Sequence, residues 1–400
     1  MGRLVIHTRP DEERVRFIAL YVACMMAVIP LFNLNIMGFG LFLLLGAGLV
    51  ILTPFAHHNF QASRVMLFYY LFVIYDLLTF AWAPGNADVF QYLKMILFFI
   101  LVTTIVFSKK EIKVVLLLQL VMGTVVAIIL CTTNATMTVQ GEYFTDTRRA
   151  VLRVGGQLID PNYSAMLMFP LSVFAMRSLL SKGRVFTKMV SAVLLLLCLY
   201  ACLRSGTRGG LMAILGGLLY YFLSGRTGIA RKIGVSLFAA VVFITVLPAL
   251  IELLPASVQR RFSIEKIIMS GGGGRADIWK ACLSGAFDSI LTFVFGHGKG
   301  ATITNIGMAA HNFFLDQLYN GGIIELILLL QFELSLFFRA KSNNNSFARA
   351  LLVAYLIMTM TVSVGANMYF WTGIALVVLL SGWDEALLNP FSKSGEGETK

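Results

Sequence analysis

Long apolar runs separated by short polar connections recur along the whole chain, the pattern expected of helices that cross a bilayer in about 20 residues each. A hydropathy window of about 19 residues places candidate spans at 17–36, 38–54, 65–83, 89–107, 112–131, 162–180, 186–203, 209–224, 232–252, 312–338, 349–365 and 367–382. The predicted fold class is an all-α polytopic membrane protein of about twelve transmembrane helices, with 1–400 forming a single integral membrane domain. The first run is too long for a signal peptide and lacks a small-residue cleavage site, so it is expected to be a retained span. The stretch 392–400 reads as a disordered tail.

One connection is much longer than the rest. Segment 253–311, between spans nine and ten, is expected to form a large external loop. Within it, Pro255 to Phe262 is a short polar helix candidate and glycines 271–274 a hinge. From Arg275 to Leu291, residues Ile278, Cys282, Leu283, Ala286, Phe287 and Ile290 share one helical face, which predicts an amphipathic helix lying on the membrane surface. Segment 310–322 then carries His311 and Asn312 into the apolar run that ends at Phe338.

Composition agrees with this pattern: 58% of residues are hydrophobic and 13% charged, with a mean hydropathy of +0.82. A net charge of +12 raises the question of nucleic acid, but the distribution of the cations answers it. Arg3, Arg9, Arg14, Arg16, Arg64, Lys109, Lys110, Lys113, Arg177, Lys182, Arg184, Lys188, Arg226, Arg231, Lys232, Arg339, Lys341 and Arg349 fall on alternate connections. That is the positive-inside pattern, with both termini expected in the cytoplasm and no nucleic-acid partner. Cys24, Cys131, Cys198, Cys202 and Cys282 have neither metal-ligand nor disulfide spacing; Cys198 and Cys202 share one helix face and read as packing.

Three outward connections break the charge rule. Segment 132–161 carries Arg148, Arg149 and Arg153; the turn after span seven carries Arg204 and Arg208; segment 253–311 carries Arg260, Arg261, Lys266, Arg275, Lys280 and Lys299. Topology does not require these cations, and an anion outside would. Asp160-Pro161-Asn162 is turn and helix N-cap chemistry, sufficient in itself, while Arg153 beside it is favoured as a ligand contact. Arg204-Ser205-Gly206-Thr207-Arg208 leads straight into a helix N-terminus, where free N–H groups and two guanidiniums make a phosphate cradle; headgroup snorkelling is the alternative. His311 is a titratable group at a membrane face, either a satisfied interfacial histidine or a general base. Inside the spans, Asp76 and Lys94 are expected to neutralise one another as an ion pair, with a proton path as the other reading, and Glu325 needs a partner.

Taken in order, Arg153 with Asp160-Pro161-Asn162, Ser205-Gly206-Thr207-Arg208-Gly209, Arg275 with Ile278-Trp279, Gly296-His297-Gly298, and His311-Asn312 with Leu315 and Gly322 resemble the O-antigen ligase-like family. That family comprises O-antigen ligases, polysaccharide polymerases and bacterial O-linked oligosaccharyltransferases. The motif-bearing core runs over 191–338, and the span plan with its outer loop extends the likeness to most of the chain, as in a C-type glycosyltransferase-like fold.

The resemblance implies an enzyme of the bacterial cytoplasmic (inner) membrane, with its active site facing outward. It would move a glycan from undecaprenyl diphosphate to an acceptor hydroxyl on a glycan or lipid, in lipopolysaccharide or other surface-polysaccharide synthesis. Its partners would be that donor, the acceptor and membrane lipids. By motif match, Arg208 and Arg275 hold the donor diphosphate, with Arg153 and Arg204 in support; His311 takes the proton, supported by Asn312, Asp160 and Asn162. Displacement would invert the anomeric centre with no cofactor and no metal. A repeat-unit polymerase of the same superfamily, a secondary transporter or lipid flippase, and a structural scaffold are the competing readings. A transporter would carry inverted repeats and helices broken at the midplane, whereas these charged clusters lie at one face.

Overall fold

The computed structural model describes residues 12–31, 35–36, 39–52, 54, 63–85, 88–139, 147–182, 184–225, 232–233, 237, 244–245, 247–263, 265 and 274–388. Five helices are long and apolar enough to cross a membrane: Arg64–Trp82, Lys109–Thr132, Pro161–Leu180, Val185–Arg204 and Phe313–Ser342. Six shorter apolar helices, Phe17–Ala27, Leu41–Leu52, Val89–Thr104, Arg208–Ser224, Ser346–Thr359 and Met368–Ser381, fall on further expected spans. This is a helical, multi-pass membrane protein. The ninth expected span, 232–252, lies partly, and the tail 392–400 wholly, outside the described residues.

In chain order the helices are α1 (Glu12–Ala27), α2 (Leu41–Leu52), α3 (Arg64–Leu78), α4 (Val89–Thr104), α5 (Lys109–Thr132), α6 (Pro161–Met166), α7 (Phe169–Leu180), α8 (Val185–Arg204) and α9 (Arg208–Ser224). The short α10 (Ala256–Gln259), α11 (Arg275–Ala286), α12 (Ile290–Phe295) and α13 (Ala301–Ile306) precede α14 (Phe313–Ser342), α15 (Ser346–Thr359) and α16 (Met368–Ser381). The bundle is all-helical as expected, and small hairpins lie in its connections. Segment 132–161 contains two antiparallel hairpins, β3 (Thr136–Val139) with β4 (Thr147–Ala150) and β5 (Leu152–Val154) with β6 (Gln157–Ile159). A third small hairpin pairs β1 (Asn35–Ile36) with β2 (Phe39–Gly40).

An aromatic knot holds the middle of the bundle. Tyr69 of α3 lies 4.2 Å from Phe99 of α4, 5.4 Å from Phe332 of α14 and 5.8 Å from Trp371 of α16, centroid to centroid. All four rings are buried, and such side chains each hide about 150–250 Å², so four helices are committed to one register. Elsewhere the helices approach through small residues, the membrane mode of packing: Gly217 of α9 faces Ala350 and Ala354 of α15.

Helix α14 is interrupted at Gly322, whose φ of 69° and ψ of −168° are non-helical. A side chain there would run into the carbonyl of Val294, so the break admits glycine alone. The segment after α12 hooks into this break: His297 N–H donates to Tyr319 O at 2.9 Å and Gly298 N–H to Asn320 O at 2.8 Å. Lys299 N–H reaches Thr79 O at 3.2 Å, at the end of α3. The Lys299 ammonium is buried, bonds the Asp76 carboxylate, lies 3.9 Å from Glu325 Oε1 and sits 4.4 Å above the Tyr92 ring. Glu325 also accepts Gln317 Nε2 at 2.6 Å.

Asp76 is therefore paired with Lys299 and not with Lys94, which is exposed on α4. The hook brings its own cation 223 residues along the chain to Asp76, and an ammonium held over a ring between two carboxylates is the better compensated charge. Replacing Lys299 with Met should cost about 3–5 kcal/mol by leaving two carboxylates uncompensated, seen as a lowered midpoint of thermal unfolding in detergent. Lys94→Met should leave that midpoint within the scatter of the unmodified protein.

Candidate functional site

The site is built on the turn between α8 and α9. Backbone donors close the end of α8: Ser205 N–H to Ala201 O at 2.9 Å, Gly206 N–H to Leu203 O at 2.9 Å and Thr207 N–H to Cys202 O at 3.0 Å. Gly206, at φ 61°, supplies the left-handed residue that such a helix ending requires. The buried carbonyls of Ser205 and Gly206 then lie at the negative end of a helix dipole, where guanidiniums are favoured. Arg149 Nε donates to Ser205 O at 3.0 Å and Arg261 Nε to Gly206 O at 3.1 Å. Arg149 Nη2 also reaches Thr207 Oγ1 at 3.3 Å, and that hydroxyl donates to Asn162 Oδ1 at 2.9 Å.

Arg208 opens α9 from this turn, and Arg275 opens α11 after Gly274, a left-handed N-cap at φ 79°. Asp160 caps α6 by accepting Asn162 N–H at 2.7 Å, the role expected from Asp160-Pro161-Asn162. Burial, then repulsion from Arg149, Arg208 and Arg275, pushes the Arg261 pKa down to about 9, with Asp160 opposing the shift. Burial and the charges of Arg208 and Arg149 act in the same direction on Arg275. Guanidiniums keep their protons in proteins, so what these shifts express is first the cost of burying the charges and then their mutual repulsion. Four partly or wholly buried cations crowd one space, and Asp160 opposes the shifts of Arg149, Arg261 and Arg275. Such a space stabilises a multiply charged anion.

His311 stands at the rim. It has a positive φ of 51°, uncommon for a residue with a Cβ. The residue is exposed, yet partial desolvation of its ring and then the Arg275 charge hold its pKa below the usual histidine value, against weaker opposing effects of Asp316 and Asp160. Its imidazole is accordingly neutral at neutral pH and able to accept a proton. Asn312, next to it, accepts Leu315 N–H at 3.2 Å as the N-cap of α14. On the neighbouring α6 and α16, Tyr163 and Tyr369 stack at 5.8 Å with rings 10° from parallel.

Of the residues anticipated from sequence, Arg208, Arg275, Asp160, Asn162 and His311 are linked by these contacts and fields. Arg204 turns aside and ties α8 to the end of α5 through Thr133 O at 2.8 Å. Arg153 is exposed on β5, outside the network. Arg149 and Arg261 were visible as cations where topology wanted none, but lie in no motif. The expected surface helix ends at Ala286 and restarts as α12; its Cys282 packs with Ala301, Ala310 and Tyr319, while Leu283, Phe287, Ile290 and Leu291 are exposed. His297 stacks on Tyr319 at 4.4 Å and its Nε2 bonds Gly285 O, a packing role.

No family model matches the chain, and comparison with curated proteins found no match. Among solved structures, the chain is similar to one from a peptidoglycan synthase complex studied for the structural coordination of polymerization and crosslinking. The TM-score is 0.50 at 15% identity, covering 81% of this chain and 97% of that one. At that identity the likeness is one of fold.

The arginines that hold the turn differ from the exposed one in what their removal should do. Arg149→Met strands the Ser205 carbonyl and is expected to cost about 1–3 kcal/mol in detergent unfolding. Arg153→Met should change stability by less than about 0.5 kcal/mol in the same measurement.

Proposed function

We propose that the protein is a glycosyltransferase of the bacterial cytoplasmic membrane, transferring a glycan from undecaprenyl diphosphate to an acceptor hydroxyl on the outer face. The observation that carries this reading is the crowding of Arg149, Arg208, Arg261 and Arg275 around one capped helix turn, with a neutral histidine at its edge. A diphosphate leaving group needs its growing charge neutralised more than it needs a proton. Guanidiniums do this well at a partly dry interface, where attraction at an effective dielectric near 20 is about four times that in water.

In the proposed reaction the acceptor oxygen attacks the anomeric carbon as His311 accepts its proton. The bond from that carbon to the diphosphate oxygen breaks on the opposite face, and its electron pair leaves with the diphosphate among the arginines. One displacement inverts the centre, and arginines take the charge-neutralising part that a metal ion plays elsewhere. Arg208 and Arg275 are assigned to the diphosphate from the resemblance to O-antigen ligases; Arg149 and Arg261 join them on position. Ligase and repeat-unit polymerase share this chemistry and differ in acceptor. The fold likeness to a chain of a peptidoglycan synthase complex is compatible with either.

The transporter reading draws support from one feature, the break in α14 beside buried charges. There, however, the freed Tyr319 and Asn320 carbonyls are occupied by the N–H groups of His297 and Gly298, and Lys299 fills the place of a cation.

His311→Ala should lower transfer from a lipid-diphosphate glycan by about 10²–10⁴-fold in a protein that still inserts; full retained transfer would remove His311 as the base. In the unmodified enzyme kcat/KM should rise with pH through a midpoint below about 6.5, because deprotonated His311 is the active form. Arg275→Gln removes a cause of the lowered pKa, so the midpoint of the residual activity should move upward.

A further inference from the structure

Ala310, immediately before His311, is held on both sides of its backbone. Its N–H donates to Asp316 Oδ1 at 3.1 Å, and its carbonyl accepts Trp279 Nε1 at 2.9 Å. His311 itself is in the left-handed region, a conformation that costs about 1–3 kcal/mol for a non-glycine residue and persists only where the surroundings over-determine it. Asn312, on the other side, is fixed as a helix cap. The chain is thus clamped before and after the histidine, which makes the imidazole's position a property of three neighbours.

The two anchors come from different places. Asp316 lies one turn into α14, the helix that His311 precedes. Trp279 lies on α11, four residues after Arg275, and residues four apart share a helix face. The helix whose first residue is Arg275 therefore also reaches, through its indole, the peptide that carries His311. Helix α11 is itself seated on the first turns of α14, where a side chain added at Gly285 would meet the Tyr319 ring.

We propose that Trp279 is a positioning residue, fixing the distance between Arg275 on the donor side and His311 on the acceptor side. This rests on the transferase reading above. The indole does not touch the reacting atoms; it sets the separation of two groups that do. A base displaced by about 1 Å can cost about 10²-fold in rate, while Arg149 and Arg261 keep their own anchors at the α8–α9 turn and Arg275 keeps its place at the start of α11. Loss of the indole N–H should therefore act on kcat and spare donor affinity.

The test uses the full chain in lipid nanodiscs, a synthetic lipid-diphosphate glycan and a hydroxyl acceptor. Trp279→Phe keeps an aromatic ring and deletes the donor; kcat should fall at least about tenfold with donor KM within about threefold. Asp316→Ala should fall as Trp279→Phe does, and Asp316→Asn, which keeps an acceptor for Ala310 N–H, should restore most of that loss at a pH where His311 is neutral in both. Separately, carbethoxylation of His311 by diethyl pyrocarbonate, followed by mass spectrometry at a pH where the imidazole is neutral, should change in rate more in Trp279→Phe and Asp316→Ala than in Asp316→Asn.

An unchanged kcat in Trp279→Phe, or a raised donor KM with kcat intact, would overturn the proposal, as would unaltered His311 reactivity. If the unmodified protein transfers no glycan, the transferase reading falls, and the reactivity of His311 still reports whether Trp279 holds it. Should Trp279→Phe fail to insert, the two Asp316 variants test the same peptide from its other side.

Discussion

A lysine carried into the interior of a membrane bundle is tolerated only where carboxylates meet it, and the hook at 296–299 satisfies that condition at one place. Lys299 bonds Asp76 and lies beside Glu325, so a segment from the long connection is fastened at once to α3 and α14. The fastening needs the break at Gly322, because only an interrupted helix offers its Tyr319 and Asn320 carbonyls to an incoming strand. Cation, acids and glycine are thus one device. It adds a buried ionic fastening to the contacts that α11 and α13 already make with α14 through Cys282, Tyr319 and Asn320.

A second constraint shapes the other half of the site. The end of α8 must satisfy its last carbonyls, and it does so with guanidiniums from two distant segments, Arg149 on a hairpin and Arg261 beyond α10. Those segments are brought to the turn by a need of the backbone, and they bring charge with them. The same contacts that terminate a helix assemble a cationic basin next to Arg208 and Arg275.

The spans were legible because hydropathy and length act locally: runs along the chain are sufficient to mark where most helices lie. Arg208, Arg275 and His311 stand out as candidates in the sequence because each sits in a short ordered motif. Partners far apart in sequence were not legible. Asp76 was matched to Lys94, the cation near it along the chain, when its true partner is 223 residues away. Arg149 and Arg261 were visible as anomalies of charge, but only the turn they bind explains which arginine of each segment matters. The hairpin at β5 and β6 did leave a signal in Gly155-Gly156, a two-residue glycine turn between short apolar stretches, which a helical reading of the chain passes over.

The doubling of roles at Arg149 and Arg261 bears on how such a chain can change over generations. Each side chain serves the backbone with Nε and lends its charge to the space beside it. Lysine can offer the charge but lacks the planar fork that spans both duties, so the usual conservative exchange is closed at these positions. A lineage that gives up either arginine gives up part of its helix ending as well. Under the proposed function, loss of ligand recognition and loss of folded protein then arrive together, and inactive but well-folded descendants should be scarce at these two sites while remaining attainable at His311, whose exposed ring terminates no helix.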